Sequence, residues 1–257
     1  MPSLRRGIVL TGLLLVVLSC FSCVALPTKE TVSPSCTHSW EKVTGATAAG
    51  RDAISSEFTI LLEGEQKAFF TGILHVSAPD KMRWDIFTPI GTLAAIVAVN
   101  GTSFSAFLAA PGKVYRGTIT ADSMERIVHL PLLPNEFAGI LLGSAEMLSR
   151  GMWLAGCVEM ERMYSFSRSG ESRQVWLDGQ NRPLRYWGHR GLEDFWLQVQ
   201  YDGDVPRQIT GKYKNNIFTM QILHYQEKKL SQELFEVKSS QNSGALDGIV
   251  APHDFNF

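Results

Sequence analysis

Alternation of apolar and polar residues with a period of two recurs between residues 58 and 225, and it restricts the fold to short antiparallel strands. Phe58, Ile60 and Leu62 alternate with Thr59, Leu61 and Glu63, and Phe70, Gly72, Leu74 and Val76 with Thr71, Ile73, His75 and Ser77. Met82, Trp84 and Ile86 do the same against Lys81, Arg83 and Asp85. Turn residues at Gly64-Glu65, Ala78-Pro79-Asp80, Thr88-Pro89-Ile90-Gly91, Asn100-Gly101 and Pro111-Gly112 separate these runs, so a meander is the economical topology. The pattern resumes from about Glu161 to Tyr225, with turns at Ser169-Gly170, Asp178-Gly179, Asp202-Gly203 and Asn215-Asn216.

One stretch breaks the period. After the sixth expected strand, Thr120-Ala121-Asp122-Ser123 offers helix caps to a segment in which Met124, Ile127, Val128 and Leu130 fall on one helical face, ended by Pro131 and Pro134. A second short helix is expected from Pro134 to Leu142, with Phe137, Ile140 and Leu141 on one side and Gly143 as its stop. A further helix is expected near Ser39 to Ala49. The fold class is therefore mainly β with some α: a half-open antiparallel barrel whose concave apolar face is covered by a short helical lid. If lid and sheet do not pack solidly, an apolar cavity remains between them, suited to apolar ligands.

The first two dozen residues differ in character. Arg5 and Arg6 precede an apolar stretch from Ile8 to Leu18, followed by Ser19, Cys20, Phe21, Ser22 and Cys23, which is the layout of an export signal. The stretch falls short of the roughly 20 apolar residues that a membrane-spanning helix needs. Val17-Leu18-Ser19-Cys20 resembles the lipobox at which a cysteine thiol is acylated; Cys23 is a poorer second site, and an ordinary cleaved signal that happens to end in cysteines is the plain alternative. Residues 1–19 are thus expected to be a lipoprotein signal peptide, 20–38 a lipid anchor and a Pro, Thr and Ser-bearing tether, 39–237 the folded domain and 238–257 a flexible tail. Acyl chains at Cys20 would hold the domain to a membrane on its periplasmic side. Cys36 and Cys157 could pair in an oxidising compartment, but spacing alone leaves them paired or free.

Several functions are disfavoured. Formal net charge is -1 and the cations are dispersed, so nucleic acid is not an expected partner. The chain carries no Gly-x-Ser-x-Gly, no His-Glu-x-x-His and no phosphate-cradling glycine loop, and the six histidines are scattered. No catalytic residue, metal or cofactor is expected.

Two segments carry a resemblance to a known family. Asp80-Lys81-Met82-Arg83-Trp84-Asp85-Ile86-Phe87-Thr88-Pro89-Ile90-Gly91-Thr92 is similar to the strand, Asn-Pro-Leu-Gly loop and returning strand of the LolB family of outer-membrane lipoproteins. Within Tyr115 to Gly143, Ala121-Asp122-Ser123-Met124, Leu130-Pro131-Leu132 and Leu141-Leu142-Gly143 resemble that family's lid helices. Thr88 and Ile90 stand where the family has Asn and Leu, and Glu146 to Tyr164 is hard to align with it.

The resemblance implies a monomeric receptor at the outer membrane that takes acylated lipoproteins from a LolA-type periplasmic carrier and inserts them into the outer-membrane lipid. Phe58, Ile60, Phe70, Leu74, Trp84 and Ile86 of the strands, with Ile127, Val128, Phe137 and Leu141 of the lid, are the expected cavity lining. The loop Pro89-Ile90-Gly91 would carry the apolar tip that meets the bilayer. Neither Cys20 nor Cys23 is followed by Asp, the residue that resembles an inner-membrane retention signal. A carrier or sensor of another lipid or glycolipid, and a structural lipoprotein with a filled core, are the alternatives.

Overall fold

The computed structural model describes residues 32–46, 51–64, 67–128, 132–190 and 193–237; Cys20, Cys23 and the tail after residue 237 lie outside them. Thirteen strands form one sheet: β1 Ala53–Glu63, β2 Ala68–Ser77, β3 Lys81–Phe87, β4 Leu93–Asn100, β5 Ser103–Leu108, β6 Lys113–Thr118, β7 Trp153–Val158, β8 Met163–Arg168, β9 Glu171–Leu177, β10 Pro183–Arg190, β11 Glu193–Asp202, β12 Val205–Tyr213 and β13 Asn216–Glu227. Spatial order runs β6-β5-β4-β3-β2-β1-β13-β12-β11-β10-β9-β8-β7. Sequence neighbours other than β6 and β7 pair antiparallel, and the long-range pairing of β1 with β13 joins the two halves. β6 and β7 remain as open edges, so the barrel is not closed. This is the half-open antiparallel architecture that the alternation predicts.

Residues directly opposite each other across antiparallel strands share a face, and their pairing traces one apolar inner surface. Ile54, Val76, Met82, Val99 and Phe104 make one row, and Leu74, Trp84, Val97 and Ala106 the next. All nine are buried. Close approach fixes some positions as glycine: a Cβ on Gly188 would lie 2.1 Å from Cζ of Phe195 on the facing strand, and one on Gly72 would lie 2.6 Å from Cζ of Phe58. The phenylalanine rings lie over the neighbouring glycines and fill the space that side chains would otherwise take.

Among the described residues four helices accompany the sheet: α1 Pro34–Ala46, α2 Ala121–Val128, α3 Pro134–Leu142 and α4 Ala145–Leu148. The insertion after β6 and the bounds of α3 match expectation, with Pro134 in its first turn and Gly143 as a left-handed C-cap at φ 71°. α1 begins five residues before the expected Ser39. Pro34 is tolerated there because the first helical N–H has no intrahelical acceptor, and Cys36 and Val43 are buried at 2% and 4% exposure. Residues 34–38 therefore form helix rather than tether. A disulfide joins Cys36 to Cys157 and ties α1 to edge strand β7.

β7 is a strand that the alternation does not reveal. Its register shifts between Leu154 and Gly156, so the residues facing buried Phe166 and Tyr164 are Leu154 and Cys157, three apart instead of two. A bulge at an edge strand erases the period on which the reading depends.

After β13 the chain turns back over the outer face of β3 to β6, with a 3₁₀ turn at Gln232–Phe235 and Phe235 buried. Arg83 Nη1 donates to the Leu234 carbonyl at 3.1 Å, and the Val237 amide donates to Ser105 Oγ at 3.3 Å. A cleft of about 580 Å³ lies under this strap, floored by Ile96, Phe107 and Val114.

His75 faces Arg83, Asp85 and Lys228 on the same outer surface. Burial holds its pKa below the ordinary 6.5, against the opposing pull of Asp85. A lowered folded pKa means that the unfolded chain takes up the proton first. Stability is then intact above about pH 6.5 and falls as pH drops toward the folded value. His75→Gln is expected to flatten this acid-side loss, measured as urea midpoints at about pH 7.5 and about pH 5.5; an unchanged pH slope would contradict it.

Candidate functional site

The expected cavity residues divide into a packed group and a half-open group. Phe58, Leu74 and Trp84 of the sheet and Phe137 and Leu141 of α3 are all buried in one core. Trp84 and Phe137 meet edge to plane, with centroids 5.7 Å apart at 80°. Such contacts contribute about 0.5–1.5 kcal/mol beyond area burial. Ile60, Phe70 and Ile86 are only half-buried. Ile127 and Val128 belong to α2, and the placement of their side chains lies outside the described residues.

The half-buried group sits together at one end of β1 to β3. Ile60 pairs with Phe70 and Ile86 with Gly72, while Thr71, next to Phe70, pairs with Phe87 at the start of the β3–β4 turn. On β1 to β3 burial of the inner face thus weakens toward the end that carries Pro89-Ile90-Gly91, while Met220 and Ala95, opposite Ile60 and Ile86 on the flanking strands, stay buried.

That turn is built to hold its tip outward. The Gly91 amide donates to the Thr88 carbonyl at 2.8 Å, and the Thr88 amide donates to the Thr92 carbonyl at 2.8 Å. The two threonine hydroxyls lie 2.7 Å apart. Pro89 suits the second position of such a turn, and Gly91 takes the left-handed φ of 81°. Ile90 between them is 86% exposed. Leu93 at 36% and Phe69 at 45% continue the apolar surface on the adjoining strands.

Sequence reading missed a buried ionic cluster that fixes α3 to the sheet. Glu136 is 2% exposed and Arg173, on β9, is fully buried. Arg173 Nε donates to Glu136 Oε1 at 2.9 Å, the Tyr186 hydroxyl to the same oxygen at 2.6 Å, and the Leu133 amide to Oε2 at 2.6 Å. Arg173 also donates to the carbonyls of Ser172 and His189 and lies 5.1 Å over the Phe195 ring. Burial alone would lower the Arg173 pKa, but the Glu136 carboxylate and its neighbours raise it, so the guanidinium stays charged. Burial and the Glu136 charge push Tyr186 well above its ordinary value, so its hydroxyl stays a donor. The group is sealed from solvent, and its geometry is that of an anchor.

α2 is held differently. Asp122 pairs with Arg190 at 3.0 Å and Glu125 with Lys214 at 3.0 Å, all four side chains at least partly exposed. Exposed pairs of this kind contribute about 0–1 kcal/mol each and weaken with salt. The ionic hold on α2 is therefore much weaker than that on α3, although Met124 of α2 is buried in the core.

Among the described residues no group of three or more His, Cys, Asp or Glu could hold a metal ion, and no helix is long and apolar enough to cross a membrane.

Comparison with known proteins gives the fold. No protein-family model matches the sequence, and no curated protein matches it. Solved structures do. A DUF1329 family protein from Desulfovibrio piger superposes with a TM-score of 0.55 at 9% identity, covering 79% of this chain and 98% of that one. A domain from Vibrio parahaemolyticus named for outer membrane lipoprotein sorting gives 0.52 at 13% identity, covering 78% and 96%. A LolA superfamily protein from Nitrosomonas europaea gives 0.50 at 9% identity, covering 77% and 97%. The chain shares the open β-barrel fold of these proteins.

Proposed function

We propose that this chain is an envelope lipoprotein of lipid-binding type. It shelters acyl chains of lipoproteins against the inner face of its half-barrel and passes them to the outer membrane through the Ile90 turn. The observation that carries this reading is the coincidence at one end of the barrel of a loosening apolar face, at Ile60, Phe70 and Ile86, and an isoleucine 86% exposed on a turn built to hold it out. Likeness of fold to LolA-superfamily structures supports an apolar ligand, and the segments that resemble the LolB family support the receptor and inserter role in particular. In this reading Cys20 carries the anchor, a LolA-type carrier is the donor, and the protein acts as a monomer at the periplasmic face of the outer membrane.

The turn would work through simple transfer energetics. Burying one isoleucine side chain in hydrocarbon is worth about 1.5–3 kcal/mol, which is about ten- to a hundredfold in membrane affinity. Ile90→Glu is therefore expected to leave capture of a fluorescent lipoprotein intact and to reduce its delivery to liposomes by about tenfold or more. Delivery equal to wild type would refute the role of the turn.

One observation favours a second reading. Trp84 packs directly on Phe137 and α3 is almost wholly buried, so at that point the lid fills the concave face. A structural lipoprotein with a filled core would look the same there. The receptor reading requires acyl chains to enter on the half-buried side, or α2, with its weaker ionic hold, to yield.

A further inference from the structure

The outer face of the second half of the sheet has a composition that its inner packing does not require. Trp176, Trp187 and Trp196 stand on β9, β10 and β11, and they are half of the protein's tryptophans. Register places them on one surface. Trp187 is directly opposite Trp196, Trp176 is opposite Arg185, and Trp196 is opposite Lys212. The intervening residues Val175, Tyr186 and Leu197 point inward and are buried, so the tryptophans face outward. Trp196 is 38% exposed, Trp176 and Trp187 are half-buried, and the Trp187 ring stacks on His189 with centroids 6.1 Å apart.

The cations among them have no acid. Arg185 and Lys212 are exposed and make no hydrogen bond, ion pair or ring contact among the described residues, which sets them apart from most of the arginines in the sheet. Asp194, two residues from Trp196, is already engaged by His189 at 2.6 Å. Gln174, opposite Trp187, offers an uncommitted amide on the same surface. Flat aromatic faces interleaved with unpaired positive charge complement a ligand that is itself flat, apolar on its faces, polar at its edges and anionic. An acidic sugar ring has those properties: its C–H faces stack on indoles, its hydroxyls meet an amide, and its carboxylate or phosphate meets a cation. Nucleic acid fits less well, because its affinity is built from many phosphate contacts, and this surface supplies two cations on a chain of net charge -1.

We propose that the outer face of β9 to β12 binds an acidic polysaccharide, stacking sugar rings on Trp176, Trp187 and Trp196 and pairing their anionic groups with Arg185 and Lys212. This site is independent of the inner apolar face and of the Ile90 turn. It would let the protein hold an envelope glycan while the concave side is occupied.

The test is a tryptophan-fluorescence and calorimetric titration of the full chain, in a detergent without a sugar headgroup. The probes are a panel of carboxylate- and phosphate-bearing hexasaccharides, beside neutral hexasaccharides of equal length. Saturable binding of an acidic probe, weakened by salt, is expected. Trp187→Ala should lower affinity roughly tenfold. The exposed double substitution R185E/K212E leaves the packing untouched, and should abolish the preference for acidic over neutral probes. Absence of binding by any acidic probe to the folded protein overturns the proposal, as does binding that all these variants leave unchanged. Quenching by brominated phosphatidylglycerol that Trp187→Ala removes, without a saccharide response, would assign the face to a membrane and overturn it equally.

Discussion

Truncating Glu136 to Ala is expected to lower the unfolding free energy by about 3 kcal/mol, because it deprives the fully buried Arg173 of its nearer counter-ion and leaves it Glu171 alone, at 3.4 Å. It also removes the acceptor of the Tyr186 hydroxyl and of the Leu133 amide. A loss of that size is a large share of the roughly 5–15 kcal/mol that holds a domain folded. The pair need not be a net source of stability. Replacing both partners together, as Glu136→Leu with Arg173→Met, is expected to cost far less than either alone, since an apolar pair leaves no orphaned charge. Urea unfolding at neutral pH measures all three variants. A Glu136→Ala loss below about 1 kcal/mol would mean that Glu171 alone suffices to hold the Arg173 charge. In physical terms the cluster fixes where α3 enters the concave face, and so decides which part of that face stays covered.

Removal of the Cys36–Cys157 bond is expected to be as severe. The bridge spans a sequence separation of 121. In the chain-entropy model, constraining so long a loop of the unfolded chain is worth about 5 kcal/mol. For a domain of this size about 1 kcal/mol shifts Tm by roughly 2–4 °C, so C36S/C157S is expected to melt roughly 10–20 °C lower in a calorimetric scan. Mild reduction of the wild type should reproduce the shift. A shift of a few degrees in both would show that the unfolded chain gains little freedom when the bond is lost. The location matters too, because among the described residues β7 has no partner strand on its far side, and the bond ties this edge to α1.

The sheet was legible in sequence because each strand buries one face. Phe58 to Leu62, Phe70 to Val76 and Met82 to Ile86 alternate as a one-sided sheet demands, and the turns carry glycine and proline at the positions where the hairpins reverse. The β3–β4 turn was legible for the same reason, and its outward Ile90 follows from having Pro89 and Gly91 on either side.

What escaped did so for identifiable causes. The bulge in β7 places its inner residues three apart. α4 has four residues, too few to show a helical period. Arg173 occupies an inward position in the run Arg173, Val175, Leu177, and Glu136 sits in the first turn of a mostly apolar helix. Each alone looks like a solvated charge. Only the fold, which brings residues 37 apart in sequence to 2.9 Å, shows that they satisfy one another. A charge on the buried face of an apolar period was the signal available, and it identifies a residue in need of a partner without saying which. The outer tryptophans were hidden in a similar way, since alternation says that they face outward but not that three of them share one surface.

The most direct test of the account is capture of cargo. A LolA-type carrier loaded with a fluorescent lipoprotein is mixed with residues 32–257 of this chain, and the label is followed by size-exclusion chromatography. Transfer of the label to this protein, competed by free long-chain acyl lipid and weakened by Phe70→Asp or Ile60→Asp at the half-buried side of the concave face, is the predicted result. A folded domain that takes no label, and shows no affinity for acyl lipid by itself, would contradict the lipid-binding reading and leave a filled, structural half-barrel in its place.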